Sequence, residues 1–329
     1  MEPKVSIITP LHNKGPYIAE TIESVLSQSF PYWEMIVVEN NSSDNGPAVV
    51  RSYEGKDKRV RLLVSDKQGP GVSRNLGMAE ASGEWIQFLD ADDLLLPGHL
   101  QTMFDKSREN AACDLLTCDW LEGASVAESH CQRKRPTNRP GRSHWKQSAV
   151  AFTPWVVHAA WVRQSALGEA PWWDESFDRL KAEDHVFWFR VLLRSREAAY
   201  SPHVGVFYRM EAAASGRHSK TDFAAHLQTL DRTMQANVKL LEASGEMLGY
   251  EHRRALLNSY LELGLLFARD PELARLVKLR TKQFRPPFLE AMKRKDLPTA
   301  ASHVVPGPFL AWAQNRWREM ARKRPDLAA

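Results

Sequence analysis

Short apolar runs alternate with longer amphipathic segments through the first third of the chain, and this alternation constrains the fold more than any other feature. The runs are rich in β-branched residues, which is typical of buried strands in a parallel sheet. The segments between them carry apolar residues at helical spacing, as in Ile18, Ile22 and Val25. This order predicts βαβ units and an α/β fold with a mostly parallel sheet. The predicted strands are residues 4–10, 34–39, 60–64 and 85–89.

The remainder of the chain predicts a less regular end to the sheet and then helices. We expect a strand over 113–120, a helix over 182–195 and two short strands around Pro202. From Thr221 onward the pattern is helical, with breaks near Gly245 and at Pro271, Pro286, Pro287 and Pro298.

These patterns predict two regions. An α/β domain is expected over residues 1–220, and a helical, basic region over residues 221–329. The second region would serve as a lid, a homodimer surface or a membrane contact, and the sequence leaves these three open. Within the first region, the polar and basic segment from Glu122 to Lys146 is either a loop that covers a site or an insert without a role.

Three carboxylates follow the fourth predicted strand directly. Asp90, Asp92 and Asp93 lie within four residues, where like charges repel each other unless a cation lies between them. Ligands of open α/β sheets bind outside the carboxyl ends of the strands, and hard divalent cations prefer carboxylate oxygens. The alternative is that they only cap a helix that begins near Pro97. One aspartate would suffice for a cap, so we favour a metal site.

Composition and charge exclude several classes of protein. The formal net charge of the 329 residues is only +4, which does not indicate a nucleic-acid-binding protein. The three cysteines are too few and too widely spaced for a zinc site, and they suggest reduced thiols in a cytoplasm. The first residues do not resemble a signal peptide, and no apolar run is long enough for a transmembrane helix. We therefore expect a cytoplasmic protein.

The end of the chain has the composition of an interfacial helix. From Arg275 onward there are 13 Lys and Arg against 4 Asp and Glu. Within Pro308–Arg324, Phe309, Trp312 and Trp317 share one face that basic residues border. Peripheral contact with the inner face of a membrane and packing of this face on the protein itself remain equally open.

Four motifs in order resemble family 2 glycosyltransferases of the GT-A fold, which implies a Rossmann-like, mostly parallel sheet. They are Val5–Asn13, Glu34–Asp44, Gly71–Gly77 and Gly83–Asp93. A fifth segment, Phe177–Arg190, is similar to the later acidic motif of the family. The resemblance covers about residues 4–220 and does not extend to the C-terminal third.

The resemblance implies transfer of a sugar from a nucleotide-diphosphate donor to an acceptor hydroxyl, usually with inversion. Asp90 and Asp92 match the DXD motif of the family, so Asp92 should meet Mn²⁺ or Mg²⁺ and Asp90 the ribose or metal-bound water. Asp93 is a further candidate for the metal, and its share cannot be separated from that of Asp92. His218 lies where many GT-A enzymes have a histidine near the metal.

The acidic motif implies the base of the reaction. Asp184 matches the family's base, which takes the proton of the acceptor hydroxyl, and Glu183 would support it. The alternative for this pair is a helix N-terminus stabilised by acidic side chains.

The resemblance also implies a nucleotide site, although one of its positions departs from the family. Two aspartates commonly follow the second strand and one accepts a hydrogen bond from uracil, but here Glu39 and Asn40 stand in their place. An Asn carbonyl can still accept that bond, so UDP is favoured while GDP and dTDP remain open. The expected nucleotide-binding residues are Thr9, Pro10, Leu11, Asn13, Glu39, Asn40, Arg74, Asp90 and Ala91.

Aromatic residues before the acidic motif suggest an acceptor surface. Trp172 and Trp173 follow Pro171 in a predicted loop, where they can form a platform for a sugar. The aromatic residues of the helix over 182–195 are expected in the core. The acceptor would be a saccharide or a lipid-linked saccharide, as in the synthesis of surface polysaccharide or glycolipid.

Two other enzyme classes are not supported by the first turn. Thr9–Gly15 lacks the Gly-x-Gly-x-x-Gly sequence that a dinucleotide-dependent dehydrogenase needs after its first strand. It also lacks the glycine-rich, basic phosphate loop of a sugar-nucleotide pyrophosphorylase. The alternative that remains is a non-catalytic, sugar-nucleotide-binding protein on the same fold.

Overall fold

The computed structural model describes residues 2, 4–126, 131–136, 145–151, 155–178, 180, 183–210, 223–266 and 271–303. His218 and the predicted helix over 308–324 lie outside these residues. The chain divides into two compact units. One comprises Met1–Trp145 and Thr153–Ser219, and the other comprises Lys146–Phe152 and Lys220–Ala329.

The described strands of the first unit form one mixed sheet. Its order is β3-β2-β1-β4-β8-β6-β9-β5, and β7 pairs with β6. Strands β3, β2, β1 and β4 are parallel, whereas β8 runs antiparallel to both β4 and β6. The strands are β1 Val5–Leu11, β2 Trp33–Glu39, β3 Val60–Val64, β4 Trp85–Phe88, β5 Leu94–Leu95, β6 Cys113–Gly123, β7 Gln132–Lys134, β8 Ala160–Arg163 and β9 Glu197–Arg209. The predicted α/β class is confirmed.

Helices connect the parallel strands, as the alternating pattern predicts. The first three begin with a proline in their first turn, where its missing N–H costs no hydrogen bond. The third helix approaches the sheet closely at Gly77. A Cβ at this position would lie only 2.5 Å from the Ile8 side chain, so no larger residue fits without a shift. The helices of the first unit are α1 Gly15–Leu26, α2 Gly46–Glu54, α3 Pro70–Ala79, α4 His99–Glu109 and α6 Glu183–Arg194. The short helix α5, Trp145–Ser148, has three of its four residues in the second unit. Short 3-10 helices span Val157–Ala159, Gln164–Ala166 and Glu175–Phe177.

The parallel strands bring three loops to one edge of the sheet. β1 pairs in register with β2 from Val5–Trp33 to Leu11–Glu39, and with β4 as far as Ile8–Phe88. The segments after β1, β2 and β4 therefore leave the sheet side by side. Because the three aspartates follow β4, they lie next to the end of β1, and the end of β2 is one strand further along the same edge.

Two expectations about strands need correction. The segment around Pro202 is one continuous strand, β9, rather than two short ones. Pro202 has no N–H to donate, and the register moves from Cys118–Ser201 to Asp119–Val204, so that Pro202 and His203 form a bulge. The polar segment from Glu122 to Lys146 contains a short strand, β7, that pairs with β6.

The described part of the second unit is helical. Its helices are α7 Phe223–Ala243, α8 Tyr250–Leu266, α9 Pro271–Phe284, α10 Phe288–Lys293 and α11 Leu297–Ala301. Asp231 of α7 accepts hydrogen bonds from Arg280 of α9 at 2.7 and 3.0 Å, and from the Tyr260 hydroxyl of α8 at 2.6 Å, so one carboxylate joins three helices. Pro298 lies in the first turn of α11, directly after the break that separates α11 from α10. Among the described helices, none is both long and apolar enough to cross a bilayer.

Candidate functional site

A cleft of about 430 Å³ opens at the carboxyl edge of the parallel strands. It is lined by residues that follow β1, β2 and β4, by the start of α3 and by the start of α6. Among the residues predicted from sequence, it is lined by Pro10, Asn40, Arg74, Asp90, Ala91, Asp92 and Glu183. The fold therefore brings the DXD segment and one acid of the later motif to a single cleft, although Glu183 follows Asp92 by 91 positions.

Arg74 joins the two acidic motifs. Its guanidinium donates at 2.9 Å to Asp90 and at 2.9 Å to Glu183. The Arg74 side chain is only 4% exposed, and burial alone would lower its pKa, but the two carboxylates outweigh burial and raise the pKa above its usual value. Because the guanidinium is planar and rigid, one bond from each terminal nitrogen fixes the direction as well as the distance of both carboxylates.

Glu183 and Asp184 occupy different environments at the start of α6. Glu183 lines the cleft, and burial raises its pKa above the usual value, with Asp184 adding to the rise and Arg74 opposing it. Asp184 is half-buried and does not line the cleft. Its carboxylate accepts a hydrogen bond of 3.0 Å from the backbone N–H of His185.

Asp92 faces the cleft and is paired with a lysine. The Lys14 ammonium lies 2.6 Å from Asp92 Oδ2, and the Asp92 side chain is 5% exposed. Lys14 precedes α1 at the end of the first loop, so the β1 loop and the β4 loop meet across this ion pair.

Asp93 does not line the cleft and contacts β9 and the 3-10 helix Val157–Ala159. Its Oδ1 accepts a hydrogen bond of 2.7 Å from the backbone N–H of Arg209, and its Oδ2 lies 3.2 Å from His158 Nδ1. Burial lowers the pKa of His158 to about 4, although the Asp90 carboxylate opposes this. Asp90, Asp93 and His158 each place one ligand atom within 4.8 Å of the others. Asp90, which lines the cleft, therefore also lies within metal-ligand reach of a second carboxylate and an imidazole.

Asn40 holds the turn that leads into α3. Its Nδ2 donates to the Lys67 carbonyl at 2.7 Å, and its Oδ1 accepts from the Gly69 N–H at 2.8 Å. The side-chain oxygen that was predicted to accept a bond from a nucleobase thus already accepts one from the backbone. We name residues 67–72 the α3 turn. On its other side, Asp178 accepts hydrogen bonds from the N–H groups of Gly71 at 2.8 Å and Val72 at 3.1 Å.

The remaining predicted nucleotide residues do not line the cleft. Thr9 and Leu11 are buried within β1. Asn13 is exposed, and its Oδ1 accepts a hydrogen bond of 2.8 Å from the backbone N–H of Ser43, so it joins the β1 loop to the β2 loop. Glu39 accepts a hydrogen bond from the backbone N–H of Ser42 and shapes the β2 loop. Asn13 and Glu39 thus stabilise the loops through hydrogen bonds to the backbone, whereas Thr9 and Leu11 belong to the buried strand.

The two adjacent tryptophans differ, which corrects the expectation of a two-residue acceptor platform. Trp173 is fully buried, stacks on Phe187 with ring centroids 4.2 Å apart, and lies under the Arg74 guanidinium at 4.4 Å. It belongs to the aromatic core with Phe88. Trp172 is partly exposed, and its indole N–H donates to the Gly168 carbonyl at 2.9 Å. Of the two, only Trp172 presents a surface for an acceptor.

Several residues that line the cleft were not predicted from the sequence, and Lys14 and Asp178 are the charged ones among them. Asn75, which lies outside the lining, was not predicted either. Asn75 donates to the Trp173 carbonyl at 3.0 Å and accepts from the Trp173 N–H at 2.8 Å. The sequence around Asp178 gives no indication of this contact. The two glycines of Gly69-Pro70-Gly71 do indicate that another group approaches their backbone closely, but they do not identify that group.

The arrangement defines a class of protein. A parallel half-sheet whose carboxyl edge carries clustered acids beside a helix N-terminus is the frame of a nucleotide-binding α/β protein. Residues 6–169 match the family model "Glycosyl transferase family 2". Through this segment the chain belongs to glycosyl transferase family 2, and the resemblance predicted from its motifs is confirmed.

Solved structures share the fold. S. aureus TarS 1-349 in complex with UDP-GlcNAc is 18% identical with a TM-score of 0.53, and the match covers 90% of this chain and 89% of that chain. The mannosyltransferase PcManGT from Pyrobaculum calidifontis, in complex with GDP-Man and Mn²⁺, is 17% identical with a TM-score of 0.50 and coverages of 85% and 84%. These similarities show a common GT-A-like fold.

Three curated relatives align with about a third of the chain each. The GalNAc(5)-diNAcBac-PP-undecaprenol beta-1,3-glucosyltransferase of Campylobacter jejuni is 39% identical over 112 residues, which are 33% of this chain and 36% of that protein. Two further relatives are covered over 37% and 38% of their length. The chain therefore aligns with little more than a third of these relatives.

Proposed function

We propose that this protein transfers a sugar from a nucleoside diphosphate sugar to an acceptor hydroxyl with inversion, in the synthesis of a surface polysaccharide or glycolipid. One observation carries the proposal: Asp90 and Asp92 after β4 and Glu183 at the start of α6 line the same cleft, and the Arg74 guanidinium binds Asp90 and Glu183 at 2.9 Å each. Donor-side and acceptor-side acids are thus held in one fixed frame. The Campylobacter relative's name specifies an undecaprenol-linked acceptor, which supports a lipid-linked acceptor here.

The donor side fits a divalent cation. The Lys14 ammonium already lies 2.6 Å from Asp92, which supports a cation position at this carboxylate, and oxygen donors suit Mg²⁺ or Mn²⁺. Asp92 would hold the ion, with Asp93 or the predicted His218 as a further ligand. When bound, such an ion supplies charge that neutralises a diphosphate leaving group. The complex of PcManGT with GDP-Man and Mn²⁺ supports this choice.

Asp184 is the proposed base, and Glu183 the residue that orients it. The Glu183 carboxylate is engaged by Arg74, so it is poorly placed to take a proton from an acceptor. Asp184 follows it in the first turn of α6, where a carboxylate is stabilised by the helix N-terminus. The proposed step moves the acceptor hydroxyl proton to Asp184 while the hydroxyl oxygen attacks the anomeric carbon and the nucleoside diphosphate leaves.

UDP is the proposed nucleotide, with GDP and dTDP as alternatives. The complex of TarS with UDP-GlcNAc supports UDP. In this chain Asn40 is committed to the α3 turn, so the backbone of that turn and the residues beside it would contribute to contacts with the base.

The test combines nucleotide binding with turnover. Thermal unfolding of the wild type is measured with UDP, GDP or dTDP, each with and without Mn²⁺, and sugar transfer or donor hydrolysis is measured with a panel of UDP-sugars. We expect UDP with Mn²⁺ to raise Tm most. Asp92→Asn and Asp184→Asn should each lower turnover by about 100-fold or more.

Asp93→Asn and Glu183→Gln are the matched comparisons for these variants. If Asp93→Asn abolishes the effect of Mn²⁺ and Asp92→Asn does not, the metal assignment moves to Asp93. Retention of full turnover in Asp184→Asn together with its loss in Glu183→Gln would make Glu183 the base. A wild type that binds no nucleotide and turns over no donor contradicts the whole proposal.

A further inference from the structure

Asp178 caps a helix that lies more than 100 positions earlier in the chain. Its two carboxylate oxygens accept from Gly71 N–H at 2.8 Å and Val72 N–H at 3.1 Å, at sequence separations of 107 and 106. The first N–H groups of a helix have no partner within it, and a carboxylate there is favoured by the helix dipole. The N-cap residue of α3 is Gly69, which has no side chain to cap the helix. Asp178 therefore fixes the start of α3 from the segment that leads to the acidic motif.

The backbone of the α3 turn is shaped around this carboxylate. A Cβ on Gly69 would lie 1.9 Å from Asp178 Oδ2, and a Cβ on Gly71 would lie 2.3 Å from Asp178 Oδ1. Gly69 also has a φ of +146°, which side-chain-bearing residues rarely adopt. Both glycines are thus required by the close approach of one side chain, which makes the contact a specific feature of this chain's structure.

Asn40 and Asp178 hold the α3 turn from opposite ends. Asn40 binds the Lys67 carbonyl and the Gly69 N–H, while Asp178 binds the next two N–H groups that face it. Asn40, Asp178 and Gly69 all line the cleft. The conformation of this wall of the cleft therefore depends on two side chains that belong to other segments.

The segment that carries Asp178 is attached to α3 at two further points. Asn75 exchanges two hydrogen bonds with the backbone of Trp173, at 3.0 and 2.8 Å. Arg74 binds Glu183 at 2.9 Å. Three successive anchors, at Trp173, Asp178 and Glu183, thus set the acidic motif against the helix that forms the nucleotide wall.

We propose that Asp178 is a positioning residue for the donor nucleotide, which fixes the α3 turn in the conformation that binds a nucleoside diphosphate. The proposal rests on the proposed function, because it assigns the cleft to that ligand. Asp178 acts through the backbone of the turn, whereas Asp92 and Asp184 act on the metal and the acceptor.

The variants are Asp178→Ala, Asp178→Asn and, as a matched control, Asp66→Asn. Asp66 is exposed and immediately precedes the α3 turn, so it repeats the charge change without the capping bonds. Asp178→Ala should raise the Kd for UDP and the donor KM about tenfold, with the acceptor KM unchanged. Asp178→Asn should have a smaller effect. The amide oxygen can still accept a hydrogen bond from one of the two backbone N–H groups, whereas the NH₂ group cannot accept one from the other. Asp66→Asn should match the wild type.

A double variant separates positioning from general stability. Asn40→Ala acts on the same turn, so its effect on the UDP Kd should combine with that of Asp178→Ala less than multiplicatively. A lower Tm with unchanged UDP Kd and donor KM would make Asp178 a stabilising residue only and overturn the proposal. Multiplicative effects in the double variant would also contradict it. If Asp178→Ala does not fold, Asp178→Asn and its combination with Asn40→Ala decide by the same criteria.

The two proposals fail differently. If the wild type neither binds nucleotide nor transfers sugar, the proposed function is wrong, and with it the ligand assigned to the turn. If the wild type is active and Asp178→Ala keeps its donor KM, only the role of Asp178 is wrong.

Discussion

The Lys14 ammonium lies 2.6 Å from the Asp92 carboxylate at the centre of the cleft. The pair is formed between two loops, since Lys14 follows β1 and Asp92 follows β4, 78 positions later. An internal cation therefore faces the carboxylate that the DXD motif assigns to a metal ion. A bound divalent cation and the lysine compete for the same oxygen atoms, and this competition has a measurable consequence.

Lys14→Met should tighten the binding of Mn²⁺ measured without nucleotide. Partly exposed ion pairs contribute at most about 1 kcal/mol, so removing the competing ammonium should lower the Mn²⁺ Kd by about threefold to fivefold. Lys67→Met is the control, because Lys67 is 75% exposed and its charge pairs with Glu175 at 3.7 Å instead. Calorimetric titration of both variants with MnCl₂ measures the difference. Weaker Mn²⁺ binding in Lys14→Met would show that the lysine does not compete.

Arg74→Ala should strongly destabilise the protein. The change leaves two carboxylates, Asp90 and Glu183, without the buried cation between them, and breaking buried ion pairs costs about 3–5 kcal/mol. Arg61→Ala is the matched control, because Arg61 is 37% exposed and pairs with Glu34 at 3.1 Å; we expect its cost to stay near 1 kcal/mol or below. Urea unfolding of the two variants gives both values. Equal costs would mean that the Arg74 bridge adds nothing beyond a surface pair.

The order of strands and helices in the parallel half was predictable, because the apolar pattern of each segment indicates locally whether it forms a buried strand or an amphipathic helix. That order also predicts the sheet edge at which Asp90 and Asp92 lie, and it assigns Glu183 to a later helix. The contacts that complete the cleft were not predictable, since they join residues far apart in sequence. Lys14 meets Asp92 over 78 positions, and Asp178 meets Gly71 over 107.

Local sequence also fails where neighbours take opposite roles. Trp172 and Trp173 are adjacent and chemically identical, yet one is partly exposed and the other is under Arg74 in the core. The turn after Pro171 decides which ring faces inward, and the sequence alone does not specify that direction. Pro202 likewise suggested a break, but a bulge opposite Cys118 and Asp119 lets the strand continue.

Asn40→Asp should weaken nucleotide binding, although it introduces the acid that the family resemblance predicts at this position. The Asn40 Nδ2 donates to the Lys67 carbonyl at 2.7 Å, and a carboxylate in its place would face that carbonyl with two acceptors and no donor. We expect a rise of about fivefold to tenfold in the UDP Kd. Asn45→Asp, at the N-cap of α2, is the control because it makes the same chemical change outside the cleft lining. Tighter UDP binding in Asn40→Asp would indicate that the residue contacts the base directly.

Buried histidines should make the protein less stable below neutral pH. Trp161 donates to Gln87 Oε1 at 2.8 Å, which turns the Gln87 amide nitrogen toward His99 Nε2 at 2.9 Å. His99 must then carry its proton on Nδ1 and donate to His203 Nε2 at 3.1 Å, and His203 donates from Nδ1 to the Ser201 hydroxyl at 2.8 Å. This order assigns every ring nitrogen a role and leaves no place for an extra proton.

The sign of the pH dependence follows from the neutral state of these rings. Burial lowers the pKa of His203 to about 4, with Asp119 opposing, and burial also lowers the pKa of His99, with His203 and His158 adding to the fall. Between pH 6.5 and 4 the unfolded chain binds protons that the folded protein does not, so the free energy of unfolding falls as pH falls, by about 1.4 kcal/mol per pH unit for each such group.

His203→Gln removes one of these groups and should flatten the decline measured by urea unfolding between pH 7 and 5. An equal decline in His203→Gln and the wild type would show that His203 is not held neutral by the fold.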